Sequence, residues 1–95
     1  MARPTSAAKK HEFAPLSGAV RILSVECLGQ TIHDKRVAAG LTIAEAAPLC
    51  NVGLRFLSEI ERGKPSAELG KVLQVLQTLG LDIFAVRRKT AQEKL

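Results

Sequence analysis

Thr42-Ile43-Ala44-Glu45-Ala46-Ala47-Pro48-Leu49-Cys50-Asn51-Val52-Gly53-Leu54-Arg55-Phe56-Leu57-Ser58-Glu59-Ile60-Glu61-Arg62-Gly63 is the stretch on which the fold of this chain turns. It reads as two short helices joined by a tight turn. Thr42 offers a hydroxyl to cap the first helix. Pro48 lacks a backbone donor and collides with the carbonyl four residues earlier, so that helix is expected to be distorted or short. Asn51-Val52-Gly53 supplies the break, because Asn tolerates a left-handed backbone and Gly adopts one freely. Gly63, with Pro65 close behind, stops the second helix. Helical spacing turns Phe56, Leu57 and Ile60 inward and leaves Leu54, Arg55, Ser58, Glu59 and Arg62 outside.

Working outward, Ser24 caps a helix expected over residues 25–39, with Gly40 as its stop. Its stripe is Val25, Leu28, Ile32, Arg36 and Ala39. A guanidinium facing a core needs a partner, since an unpaired buried charge is expensive. Glu61, four residues after Leu57 and on the same inward side, is the natural one. Downstream, Ser66 is expected to cap a further helix with the stripe Leu69, Val72, Leu73, Leu76 and Leu79, ended by Gly80. Residues 81–86 then read as a strand, apolar on nearly both faces. A lone strand is unstable. It must pair with the short apolar run at 19–23, with its copy in a second subunit, or with both. A dimer strand built on Leu81, Ile83, Phe84 and Val86 follows.

The chain has 95 residues, 46% of them hydrophobic, with no Trp or Tyr and three Phe. That is one domain with an aliphatic core, small enough to be marginal alone, which again favours a dimer. No apolar run approaches the roughly 20 residues needed to span a bilayer. The Lys9-Lys10-His11-Glu12 run is unlike a secretory signal, so a cytoplasmic location is expected. Cys27 and Cys50 show no metal or redox spacing and are expected to be buried thiols. His11 and His33 are isolated, and no metal or cofactor is expected. There is no nucleophile beside a base, no phosphate-binding glycine loop and no carboxylate pair in an apolar setting, so no enzyme activity is expected.

The net charge of +5 is unevenly placed. Arg3, Lys9, Lys10 and Arg21 oppose only Glu12 at the start, and Arg87, Arg88, Lys89 and Lys94 oppose only Glu93 at the end. The middle is almost neutral. Residues 1–17 are expected to be a disordered basic segment, 18–88 the folded domain, and 89–95 a loose basic tail. Basic ends suit a polyanion. Two short helices around a tight turn form a helix-turn-helix, whose second helix commonly enters a DNA major groove. On that basis Leu54, Arg55, Ser58 and Glu59 are candidates for base contact. Arg55 can donate two bonds to guanine, Leu54 can touch a thymine methyl, and Glu59 suits a cytosine amino group. Lys35, Thr42, Lys64 and Ser66, at or near helix ends, are candidates for phosphate contact.

Leu41-Thr42, Val52 and Ile60-Glu61-Arg62-Gly63-Lys64 resemble the Cro/repressor-type (XRE) helix-turn-helix over roughly residues 28–79. The resemblance implies an all-α, lambda-repressor-like bundle of four to five helices. It also implies an ion pair between Arg36 and Glu61. The run Arg55-Phe56-Leu57-Ser58-Glu59, Gly63-Lys64-Pro65 and the passage through Leu79-Gly80-Leu81 into a terminal strand resemble HipB-like antitoxins. That likeness implies a homodimer joined through a small intersubunit sheet, and the docking of two such recognition helices in successive major grooves leads to the expectation of a palindromic double-stranded operator. It further implies a repressor of its own operon that restrains a HipA-like kinase toxin, the alternatives being a stand-alone regulator of the wider family or an antitoxin acting mainly through protein contact. The chain departs from the wider pattern at Ile43, where many relatives carry Gln, at Gly53, often a Ser or Thr cap, and at Leu54, often polar.

Overall fold

A computed structural model describes residues 18–87. Among them are four helices: α1 (Val25–Ala38), α2 (Ile43–Leu49), α3 (Leu54–Glu61) and α4 (Leu69–Thr78). The expected segment 1–17 and tail 89–95 lie outside the described residues.

Each helix boundary has a local cause. Ser24 holds an extended backbone, and its hydroxyl accepts from the Cys27 N–H at 3.0 Å. Glu26 sits at the positive start of α1, and Lys35 and Arg36 at its negative end. Thr42 and Glu45 form a reciprocal capping box. The Thr42 hydroxyl accepts from the Glu45 N–H at 3.1 Å, and the Glu45 carboxylate accepts from the Thr42 N–H at 2.9 Å. The helix that begins there ends one residue beyond Pro48.

The turn after α2 uses the left-handed region at Asn51 alone, where φ is 60°. Gly53 has φ −74° and serves as the first cap of α3 without a side-chain bond. The expected use of Gly53 for a left-handed step is therefore corrected: one such residue completes the turn. At the other end of α3, Gly63 has φ 87°. A side chain there would be strained, and its Cβ would lie 3.0 Å from the Cα of Glu26.

Ile32, Leu57, Val75 and Cys50 are the largest fully buried side chains, and Ile60, Val72, Leu76 and Leu79 pack with them. Each buried Leu, Ile or Val contributes roughly 1.5–3 kcal/mol. Ala46 and Ala47, also buried, turn the short α2 toward this core. Two expectations for α4 are corrected. Ser66 lies in the preceding turn, Glu68 occupies the cap position, and no side chain bonds there. The buried phase of α4 takes in Val75, while Leu69 is 66% exposed. Starting the helix at Leu69 leaves that residue in the first turn, beyond the reach of the core. Cys50 is buried, whereas Cys27 is only half-buried.

Gly29 was not singled out by the stripe of α1, yet it is buried on the face toward α3. A Cβ at that position would collide with the Ile60 carbonyl oxygen and stand 2.7 Å from that of Glu61. The absent side chain lets the backbones of α1 and α3 meet directly.

The described residues contain no strand. Residues 19–23 and 81–87 carry no regular structure, so the expected pairing of these two runs within one chain is not formed. The Leu81 N–H closes the end of α4 on the Leu76 carbonyl at 2.8 Å, and Leu81 packs against the core. Ile83, Phe84 and Val86 are exposed.

Candidate nucleic-acid interface

The platform behind α3 is built from buried charge. Arg36 grips Glu61 side-on, Nε to Oε2 at 2.6 Å and Nη2 to Oε1 at 2.9 Å, and its Nη1 donates to the Leu41 carbonyl at 2.7 Å. Both side chains are buried. The Glu61 hydrogen bond raises the Arg36 pKa further above its ordinary value. Burial pushes the Glu61 carboxyl up, but hydrogen bonds from Arg36 and His33 outweigh it and hold the group below the usual carboxylate range. His33, to which the sequence assigned no role, places Nδ1 3.0 Å from Glu61 Oε1 and 3.2 Å from Arg36 Nη2. A hydrogen on Nδ1 satisfies the carboxylate, and a bare Nδ1 satisfies the guanidinium.

On the outer side, α3 presents Leu54 and Arg55 in its first turn, both exposed. Arg55 is 89% exposed and donates through Nε to Glu59 Oε2 at 3.0 Å. Lys64, beyond the Gly63 bend, donates through Nζ to the other oxygen of Glu59 at 3.0 Å. Glu59 is held below the usual carboxylate range by the hydrogen bond from Lys64, then by that from Arg55. Arg55, Glu59 and Lys64 thus form one connected group. Ser58, one turn along from Leu54, is half-buried, and its hydroxyl accepts from Arg62 at 2.8 Å.

Ser66 lines the same hollow as Glu59 and Lys64, together with Lys71. Lys71 was missed by the sequence reading. Its ammonium lies 5.7 Å from the centre of the Phe56 ring, which tethers a cation beside Lys64. The hydroxyl and N–H of Thr42 are engaged in the capping box. Lys35 lies apart from this group, lining a groove with Val20, Thr31 and Leu81. Ile43, which departs from the wider pattern, packs against the core and does not add to the outer face.

Among the described residues no group of His, Cys, Asp and Glu could hold a metal ion, and no helix is long and apolar enough to cross a membrane.

The family described as Helix-turn-helix matches residues 32–85. An uncharacterised HTH-type transcriptional regulator of Sinorhizobium fredii, y4mF, is 46% identical over 69 residues, covering 70% of this chain and 91% of that protein. The transcriptional regulator ClgR of Mycobacterium tuberculosis is 33% identical over 75 residues, covering 74% of this chain and 67% of that protein.

Proposed function

The chain belongs to the helix-turn-helix family, and on that premise we propose that it is a sequence-specific DNA-binding transcriptional repressor that works as a dimer. α3 enters the major groove. Arg55 donates to a guanine, and Leu54 touches a neighbouring thymine methyl. Lys64 and Ser66 take phosphates at the end of α3, while Lys35 and the Thr42 hydroxyl, which accepts within its capping box and keeps its own O–H to donate, serve the flanking backbone. Two copies joined through Leu81, Ile83, Phe84 and Val86 would set their recognition helices about 34 Å apart on a palindromic site.

The observation that carries this reading is Arg55. It is 89% exposed on the first turn of α3 and held there only through Nε, with both terminal nitrogens unpartnered among the described residues. A mobility-shift titration on the promoter of the chain's own gene tests it. Retardation that outlasts competitor DNA, and weakens steeply with salt, is the expected result. Failure to retard any duplex at low salt defeats it.

We further propose that the regulator is an antitoxin of the HipB kind, which represses its own operon and restrains a HipA-like kinase. The likeness of Arg55-Phe56-Leu57-Ser58-Glu59, Gly63-Lys64-Pro65 and Leu79-Gly80-Leu81 to HipB-like antitoxins supports this reading. Co-purification with the product of the adjacent gene tests this. A neighbour that is not a kinase and does not bind leaves a stand-alone regulator.

A further inference from the structure

We propose that Glu59 is a positioning residue of the recognition surface: its carboxylate sets the orientation in which Arg55 and Lys64 meet DNA, and does not itself read a base. This rests on the DNA-binding reading of α3.

The two carboxylate oxygens are divided between two cations. Oε2 accepts from Arg55 Nε and Oε1 from Lys64 Nζ, each at 3.0 Å. To accept from a cytosine amino group, Glu59 would have to release one of them. The exposures fit a pivot: Glu59 is 19% exposed, between Arg55 at 89% and Lys64 at 46%. The anchor is covered and carried on a helix, while the groups it holds face solvent.

The atoms chosen matter as much as the distances. Glu59 holds Arg55 by Nε, which leaves Nη1 and Nη2 for the paired acceptors of a guanine edge. Lys64 is held twice. Its ammonium bonds the Glu59 side chain, and its backbone N–H donates to the Glu59 carbonyl at 3.1 Å. One residue therefore fixes a cation on the helix relative to a cation on the loop beyond it. Exposed ion pairs of this kind add little to folding. Their effect is to restrict rotamers that would otherwise be ordered only on binding.

Positioning by Glu59 reverses the sign expected from charge alone. A carboxylate near phosphates repels them, so its neutralisation should tighten binding to any DNA. If Glu59 positions Arg55 and Lys64, its neutralisation loosens binding to the preferred site. The 95-residue chain is used to select a preferred duplex from a random-sequence library. Fluorescence anisotropy then compares that duplex with a scrambled duplex of equal length.

Glu59→Gln is expected to weaken the selected duplex about tenfold, a share of what a bidentate Arg–guanine contact supplies, while the scrambled duplex binds equally or more tightly. Glu59→Asp, which keeps the charge but is too short to span both cations, weakens the selected duplex as well. In an Arg55→Ala, Lys64→Ala background the Glu59→Gln loss disappears. Glu59→Gln tightening both duplexes alike would overturn the proposal. So would a loss that persists in that background and maps to a separate base pair, which would make Glu59 a direct reader. A wild-type chain that enriches no duplex over the scrambled one removes the DNA-reading premise and the proposal with it.

Discussion

Arg36 and Glu61, 25 residues apart in sequence, meet side-on in the interior with Nε 2.6 Å from Oε2 and Nη2 2.9 Å from Oε1. The same guanidinium reaches the Leu41 carbonyl, so one side chain ties α1 to the start of the helix-turn-helix and to the last residue of α3. Among the described residues no buried side-chain polar atom lacks a partner. The desolvation of both charges is offset only while the set is complete.

Removing either partner should therefore be severe. Glu61→Ala or Arg36→Ala is expected to destabilise the fold by roughly 3–5 kcal/mol, because each leaves a buried charge uncompensated. Urea denaturation monitored by circular dichroism measures this. A change below about 1 kcal/mol would mean that the surviving group reaches water at little cost.

The pair also sets a response to acid. The folded Glu61 carboxyl titrates below its ordinary value, while in the unfolded chain it titrates near the usual value of about 4.3. As pH falls, the unfolded state takes up the proton first. The stabilisation is present above about pH 4.3 and is lost as pH drops through the folded value. Glu59 acts in the same direction, more weakly, because its pairs are exposed and screened. Urea midpoints measured from neutral pH downward at constant ionic strength should fall more steeply for the wild type than for Glu61→Gln. Parallel curves would refute the assignment.

Gly29→Ala poses a contest of opposite terms. Alanine favours a helix over glycine by about 1 kcal/mol. Here its Cβ would press on the backbone carbonyls of Ile60 and Glu61, which no side-chain rotation can relieve. Overpacking of this kind typically costs 1–3 kcal/mol, so net destabilisation is expected. A raised thermal midpoint would show that α1 and α3 separate easily.

Arg55 and Lys64 should fail differently on DNA. Arg55→Ala is expected to lose about 1–3 kcal/mol of discrimination at one base pair. Lys64→Ala should weaken all sequences alike and lower the slope of log affinity against log salt by about one. Binding isotherms on matched and single-substituted duplexes at several salt concentrations separate the two. Identical losses on every duplex for both variants would place both residues on the phosphates.

The helices were legible because their signals are local. Ser24, Thr42, Asn51 and Gly63 are marks that the backbone must obey wherever it lies. The strand expectation was drawn from apolar composition at 81–86, which states a need for burial without naming what satisfies it. Gly29 was illegible for a different reason. A glycine within a helix looks like a weakness until the second backbone it touches is known. At the outer face, helical phase gave which residues emerge from α3. The Arg55–Glu59 pair lies at the i,i+4 spacing of one helix and was open to the same rule, whereas Lys64 reaches Glu59 only through the Gly63 bend, whose direction no spacing rule contains.

The box formed by Thr42 and Glu45, the Asn51 turn and the Arg36 clamp all act on parts of the chain that Arg55 does not touch. The pose of α3 is therefore set from behind, and its outer residues contribute little to holding it there. Folding and reading are separable in this chain. If α3 reads DNA as proposed, replacing Leu54 and Arg55 redirects sequence preference while the scaffold stays the same.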